Sequence, residues 1–317
     1  MKKLYSLFLL FLGIVLFSCK QEDKIKEINI YMPDGTPALA LANVMDQGFQ
    51  HEEINANFHI VQASEIAARV SQDSCDMAIM PTTSAANLFT SGVELKLASV
   101  NVFGNLYITG THEVESLEEL KGKRILTTGA TTLQMVEYIL KKNQIPYEEA
   151  GAAIEGKVAL TVLNDASEII PLLKQAVMKK TELYGVLGEP QVTKAQSVIS
   201  ELKIAVDLQK EYKTITGFDG YPQACLIVKN KLLQQNKAWV VKFLSTIEDN
   251  EDYLKNNTTN LPEVFKKYES NLANMNFTTD TIKRCNIRLE YSLAVKNSVI
   301  AYIKALTNKE VNESFFY

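Results

Sequence analysis

The sequence predicts an α/β protein built as two lobes, and three observations carry that prediction. Short apolar runs of strand length alternate with longer helical runs from residue 27 to about residue 190, the pattern of parallel strands flanked by helices. Turn-forming breakers separate them: Pro33, Asp34, Gly35, Thr36 and Pro37, then Thr128, Gly129 and Ala130, then Gly188, Glu189 and Pro190. Two strongly apolar stretches, 106–109 and 224–228, bracket the second set of units as paired crossover strands between lobes would.

Ahead of the first unit, Lys2 and Lys3 precede an apolar run at 7–17, the layout of an export leader. The run is shorter than the roughly 20 residues a membrane-spanning helix needs, and no later stretch approaches that length, which excludes a multi-pass membrane protein. Leu16, Phe17, Ser18 and Cys19 resemble a lipobox. That resemblance implies cleavage before Cys19, its acylation (palmitate among the acyl chains), and a polar tether at 19–26. An ordinary secretory leader with an incidental cysteine is the alternative. The expected organisation is a signal peptide at 1–18, the tether, a first lobe from 27–107 with 225–317, and a second lobe from 108–224.

The elements follow in order. A strand at 28–32 meets the Pro33–Pro37 breaker and leads to a helix at 38–44. A second strand at 57–61 precedes a helix at 64–71, with Ser64 placed to cap it. A third strand at 77–80 is closed by Pro81, and a helix opens at Thr82. The grammar then restarts: helix 116–120, strand 124–127, helix 131–142, strand 158–162, helix 166–179 and strand 183–187. Beyond residue 228 the chain turns helical. A helix at 232–255 places Trp239, Val240, Phe243, Leu244 and Ile247 on one face, and a final helix runs 291–306. These C-terminal helices are expected to pack on the first lobe.

A formal net charge of −4, with no run of lysines or arginines, argues against nucleic-acid binding. Cys75, Cys225 and Cys285 are widely spaced, and His51, His59 and His112 share no ligand-like spacing, so neither a metal nor a cofactor is expected.

Several stretches together resemble the type II periplasmic substrate-binding proteins of ABC importers, within them the nitrate, sulfonate and thiamine-precursor binding branch. They are EIAARVSQDSCDMAIMPTTSAANLF, SVNVFGNLYITG, LKGKRILTTGATT, GVLGEP and RCNIRLEYSLAVKNSVIAYIKAL, in that order along the chain. The resemblance implies two Rossmann-like lobes joined by crossover strands, a ligand held between them, and delivery to a membrane permease by a monomer anchored outside the cytoplasm. Hinge closure around a ligand is a known mode of such proteins. Two rivals remain open: an exported module that senses its ligand without transporting it, and an enzyme similar to a thiamine-pyrimidine synthase, for which the leader would be out of place.

In parallel α/β sheets ligands sit beyond the carboxyl ends of strands. Four such turns stand out, at 34–37, 81–84, 129–132 and 188–190, and three open helices with Thr36, with Thr82 and Thr83, or with Thr131 and Thr132. Helix N-termini suit an anionic or strongly polar ligand, although each threonine is also an ordinary capping residue. Asn105, beside Gly104, is placed to bond either ligand or hinge backbone. Glu189 is placed to accept from a ligand amine, guanidine or ring N–H. Tyr221, between Gly220 and Pro222, reads as an exposed turn residue able to stack on a ring, with Phe103, Tyr107 and Tyr31 as further aromatic candidates and Gln223 and Asn286 as weaker polar ones. With Glu189 present and no arginine in the predicted turns, the ligand is expected to be a small neutral or zwitterionic nitrogenous compound, such as a heterocycle, ahead of a sulfonate or similar anion.

Overall fold

The computed structural model describes residues 26–317 apart from Asp73 and Ala130, so the leader and Cys19 lie outside the described residues. Five strands come first: β1 (Glu27–Pro33), β2 (Gln50–His51), β3 (Ile54–Val61), β4 (Met77–Pro81) and β5 (Leu95–Val102). Six more follow: β6 (Leu106–Gly110), β7 (Arg124–Thr128), β8 (Tyr147–Glu149), β9 (Val158–Leu163), β10 (Tyr184–Gly188) and β11 (Lys203–Asp207). The chain then returns through β12 (Ala224–Lys229) and β13 (Ile287–Tyr291). Among the described residues these strands form two sheets, one in the order β13-β5-β12-β4-β1-β3-β2 and the other β11-β6-β10-β7-β9-β8. The protein is thus a two-lobed α/β molecule, the first sheet drawing on both ends of the described chain and the second on the middle.

Each sheet is covered on both faces, which explains its near-continuous apolar strands. The period-two alternation decides which face each side chain serves. From β4, Met77 and Ile79 enter one core with Ile28, Ile30, Trp239 and Phe243, while Ala78 and Met80 enter another with Val100, Cys225 and Ile227. In the second lobe Ile125 and Leu126 divide in the same way between two cores.

The strands at the crossings belong wholly to one sheet each: β6 pairs with β10 and β11, and β12 with β4 and β5. The lobes are therefore linked by the short segments that adjoin these strands, 103–105 and 217–223. Gly104 and Gly220 both have positive φ, at 89° and 84°. A Cβ on Gly220 would lie 2.3 Å from the Phe103 carbonyl oxygen, and one on Gly104 would lie 2.6 Å from the Tyr221 ring. Only glycine serves at these two positions.

Several expectations differ, and the helix expected at 38–44 is two short ones, Thr36–Leu39 and Ala42–Gln47. The helix expected at 232–255 is three, Asn230–Gln235, Lys237–Ile247 and Asn250–Asn256. The last break lets buried Asn250 turn inward, where it donates to Leu39 O and accepts from Asn43 N. The final helix is Lys296–Thr307, because β13 runs to Tyr291 and the buried Ser292 hydroxyl then bonds Tyr317 O. Ser64 does not cap its helix, which begins at Ile66 after Glu65 and has no side-chain cap.

That final helix packs on both lobes. Val299 and Ile303 join a first-lobe core, while Tyr302 and Leu306 join the second-lobe core. Tyr302 stacks on Tyr221 at 5.8 Å between ring centroids.

Candidate functional site

The two crossings are clamped together by a reciprocal amide pair. Asn105 N donates to Gln223 Oε1 at 3.0 Å, and Gln223 Nε2 donates to Asn105 Oδ1 at 2.9 Å. The other edge of Asn105 reaches across the lobes, donating to Thr36 Oγ1 at 2.7 Å and to Glu189 O at 2.9 Å. Thr36 Oγ1 in turn donates to Glu189 O at 2.6 Å. Of the two roles weighed for Asn105, its bonds place it on the hinge. Asn286 does likewise: it ends the helix Thr279–Cys285 in a left-handed conformation and donates from Nδ2 to Phe103 O at 2.6 Å.

Of the predicted threonines, Thr36, Thr83 and Thr131 make contacts between the lobes. Thr83, on the first turn of the helix Thr82–Thr90, meets Thr131, on the first turn of Thr131–Lys142, with 3.1 Å between hydroxyl oxygens. The first turns of two helices from opposite lobes thereby touch through their threonine hydroxyls. Helix ends leave their first backbone N–H groups without intrahelical partners. One of these is already used, since Thr82 N donates to Gln223 O. Thr82 is fully buried, with its hydroxyl next to the Cys225 thiol. Thr132 is half-buried and makes no side-chain hydrogen bond among the described residues.

Glu189 is not the free acceptor expected. Its side chain is fully buried, and Arg284, from the helix Thr279–Cys285, pairs with it at 2.5 Å. Thr193 donates to the same carboxylate from its backbone N–H and its hydroxyl, each at 3.1 Å. Burial pushes the Glu189 carboxyl above the usual carboxylate range, against the opposing pull of the Arg284 guanidinium and then of Thr193. The seam continues from Thr193 to Thr281, with 3.0 Å between hydroxyl oxygens, and from the Tyr107 hydroxyl to Arg284 O at 3.0 Å. The choice of a nitrogenous ligand on the strength of a free Glu189 therefore loses its premise. Arg284 and Thr193 were missed: Arg284 lies 95 residues along the chain from Glu189, and no local pattern joins them.

Tyr221 also differs from expectation. It is fully buried in the second-lobe core, donates to Gln209 Oε1 at 3.0 Å, and packs on Tyr212 and Tyr302. The flanking Gly220 marks a close backbone approach and not an exposed turn. Phe103 is buried beneath the Arg288 guanidinium, 3.6 Å from its ring centroid, and Tyr31 stacks on His59 at 4.5 Å.

Cys75, Cys225 and Cys285 are buried free thiols. Burial pushes Cys75 and Cys225 up to about 12 and raises Cys285 as well, the opposite of a reactive thiolate environment. Among the described residues no three His, Cys, Asp or Glu side chains gather as a metal site. Beside the Thr36–Glu189 contact a cavity of about 610 Å³ remains between the lobes, walled by Asp34 and Gly35 on one side and by Asp165 and Pro190 on the other.

Solved structures resemble the whole described chain. An ABC transporter structure from Parabacteroides distasonis superposes with a TM-score of 0.72 at 20% identity, covering 92% of this chain and 99% of that one. The ligand-binding component of an ABC-type import system from Staphylococcus aureus, with zinc bound, gives 0.64 at 11% identity over 92% and 96%. The periplasmic aliphatic sulphonate binding protein of Escherichia coli gives 0.63 at 11% identity over 92% of each chain. Searches against protein-family models and against curated proteins each find no match. The chain has the fold of the type II periplasmic binding proteins.

Proposed function

We propose that this protein is the extracytoplasmic solute-binding component of an ABC-type importer, a lipid-anchored monomer that holds a small molecule between its lobes and delivers it to a permease. The observation that carries this reading is the contact between the first turns of two helices from opposite lobes, at Thr83 and Thr131, beside the Asn105–Gln223 hinge clamp. Polar groups on two lobes, linked along the chain by two short crossings, make a cleft whose closure depends on what it encloses. Fold alone does not settle chemistry, and the buried, high-pKa thiols among the described residues give an enzymatic reading no reactive thiol to build on. Acylation of Cys19 supplies the anchor in this reading, and Cys19→Ser is expected to abolish acyl labelling.

The cleft is tested by pairing Thr83→Cys with Thr131→Cys in the leaderless protein and screening the reduced form by thermal shift against oxyanions, sulfonates, amino acids and nitrogen heterocycles. A ligand at a hundred times its Kd adds about 2.7 kcal/mol. Oxidation before ligand is added should block that gain, and oxidation afterwards should trap the ligand against dialysis. A hit that binds equally well to the protein locked beforehand would place binding outside the cleft.

A further inference from the structure

The cavity beside the Thr36–Glu189 contact has features that the threonine turns do not share. At about 610 Å³ it falls within the range of pockets that enclose organic ligands. Its walls are apolar on both sides of the lobe boundary. Leu272 and Met275, 2% and 9% exposed, present the first-lobe core to it, and Ile170 and Pro171 face them from the second-lobe helix Ile169–Lys179.

Its polar lining divides into groups already occupied and groups left unused. Asp34 accepts from Ser270 Oγ, Asn271 N and Asn271 Nδ2, and Asp165 accepts from Ser167 N in a capping box. Gln62, Gln191 and Lys194, which also line it, make no side-chain hydrogen bond or ion pair among the described residues. One free ammonium thus stands with two carboxylates, each already holding donors. Such a lining disfavours a bare anion and suits a molecule that carries both kinds of polar group.

We infer that this cavity is the subsite for the body of the ligand, and that the ligand is an uncharged or zwitterionic organic molecule with an apolar body. The inference rests on the solute-binding reading. It assigns the reading of the ligand's body to Ile170, Leu272 and Met275, and makes Lys194 the partner of an acceptor at one end. Closing the lobes on such a body removes apolar surface of both lobes from water at once, a driving force that a small oxyanion lacks.

Paired probes test this by calorimetric titration of the leaderless protein: glycine with phenylalanine, acetamide with benzamide, and methanesulfonate with benzenesulfonate. Phenylalanine and benzamide are expected to bind at least about tenfold tighter than their small partners, equivalent to about 1.4 kcal/mol. Ile170→Asp should erase that advantage. Lys194→Ala, on an exposed side chain, should weaken phenylalanine, whose carboxylate takes a charge-assisted bond, more than benzamide, whose neutral carbonyl takes a weaker one. Thermal transitions without probe establish that both variants fold. The subsite assignment is overturned, with solute binding intact, if small oxyanions from the wider screen bind while the bodied probes do not, or if Ile170→Asp leaves the preference unchanged. Silence from every probe and from the wider screen would overturn both.

Discussion

Arg284 is the side chain on which the buried carboxylate of Glu189 depends. Removing one partner of a buried pair leaves an uncompensated charge, at a cost of about 3 to 5 kcal/mol. Arg284→Met should fall at the low end, near 3 kcal/mol, because its own side chain is 26% exposed. A shift in urea midpoint at unchanged m-value would register the loss. Asp165 offers a pH signature. Hydrogen bonds from Ser167 hold its carboxyl below the ordinary value of 3.8, so its stabilisation is present above that value and is lost as pH falls through the lower, folded value. Asp165→Ala should therefore cost about 1 kcal/mol at neutral pH, as a lost cap does, and the gap should close in strong acid; an equal gap at both ends would remove the capping account. The places of Thr36, Thr83, Thr131 and Glu189 just beyond strand ends were legible because local punctuation marks where strands stop. Arg284 and Thr193 were not, because their partner is distant in sequence. Tyr221 was misread because a glycine needed for close approach to the Phe103 carbonyl looks, in sequence, like a turn glycine.

Among the elements, uniformly apolar strands such as β4 and β12 declared themselves, buried on both faces. β5 did not, because Ser99 and Asn101 interrupt its pattern; both are buried, and the Ser99 hydroxyl donates to Asn101 Oδ1 at 2.9 Å. The edge strands β11 and β13 were likewise hidden by charged residues such as Lys203 and Arg288. The final helix looked like an ordinary amphipathic cover, yet its two flanks serve different lobes, which a hydrophobic period cannot reveal. Tyr302→Ala should cost about 3 kcal/mol or more, as aromatic truncation in a core does. Hydrogen exchange should show the loss in the second lobe around Tyr212 and Tyr221 as well as in the helix itself. Lost protection confined to the helix Lys296–Thr307 would deny that it braces both lobes.

At the scale of the molecule, alternation of strands and helices revealed two α/β lobes, while the crossings proved to be short segments beside the apolar strands and not the strands themselves. Those segments are held by Asn105 and Gln223 and threaded past Gly104 and Gly220. Away from the hinge the lobes meet through polar contacts, Thr83 with Thr131, Thr193 with Thr281, and Glu189 with Arg284, and through the final helix, whose Tyr302 and Leu306 sit in the second-lobe core. The polar contacts can part and re-form without exposing apolar surface, which a capture-and-release cycle requires. Native mass spectrometry of the leaderless protein, purified with no added ligand and then incubated with a metabolite extract, addresses that cycle most directly. The expected result is a mass increment of one small molecule per chain that disappears on denaturation and cannot form in the oxidised Thr83→Cys, Thr131→Cys protein. A bare chain before and after incubation, or an increment indifferent to the lock, would contradict it.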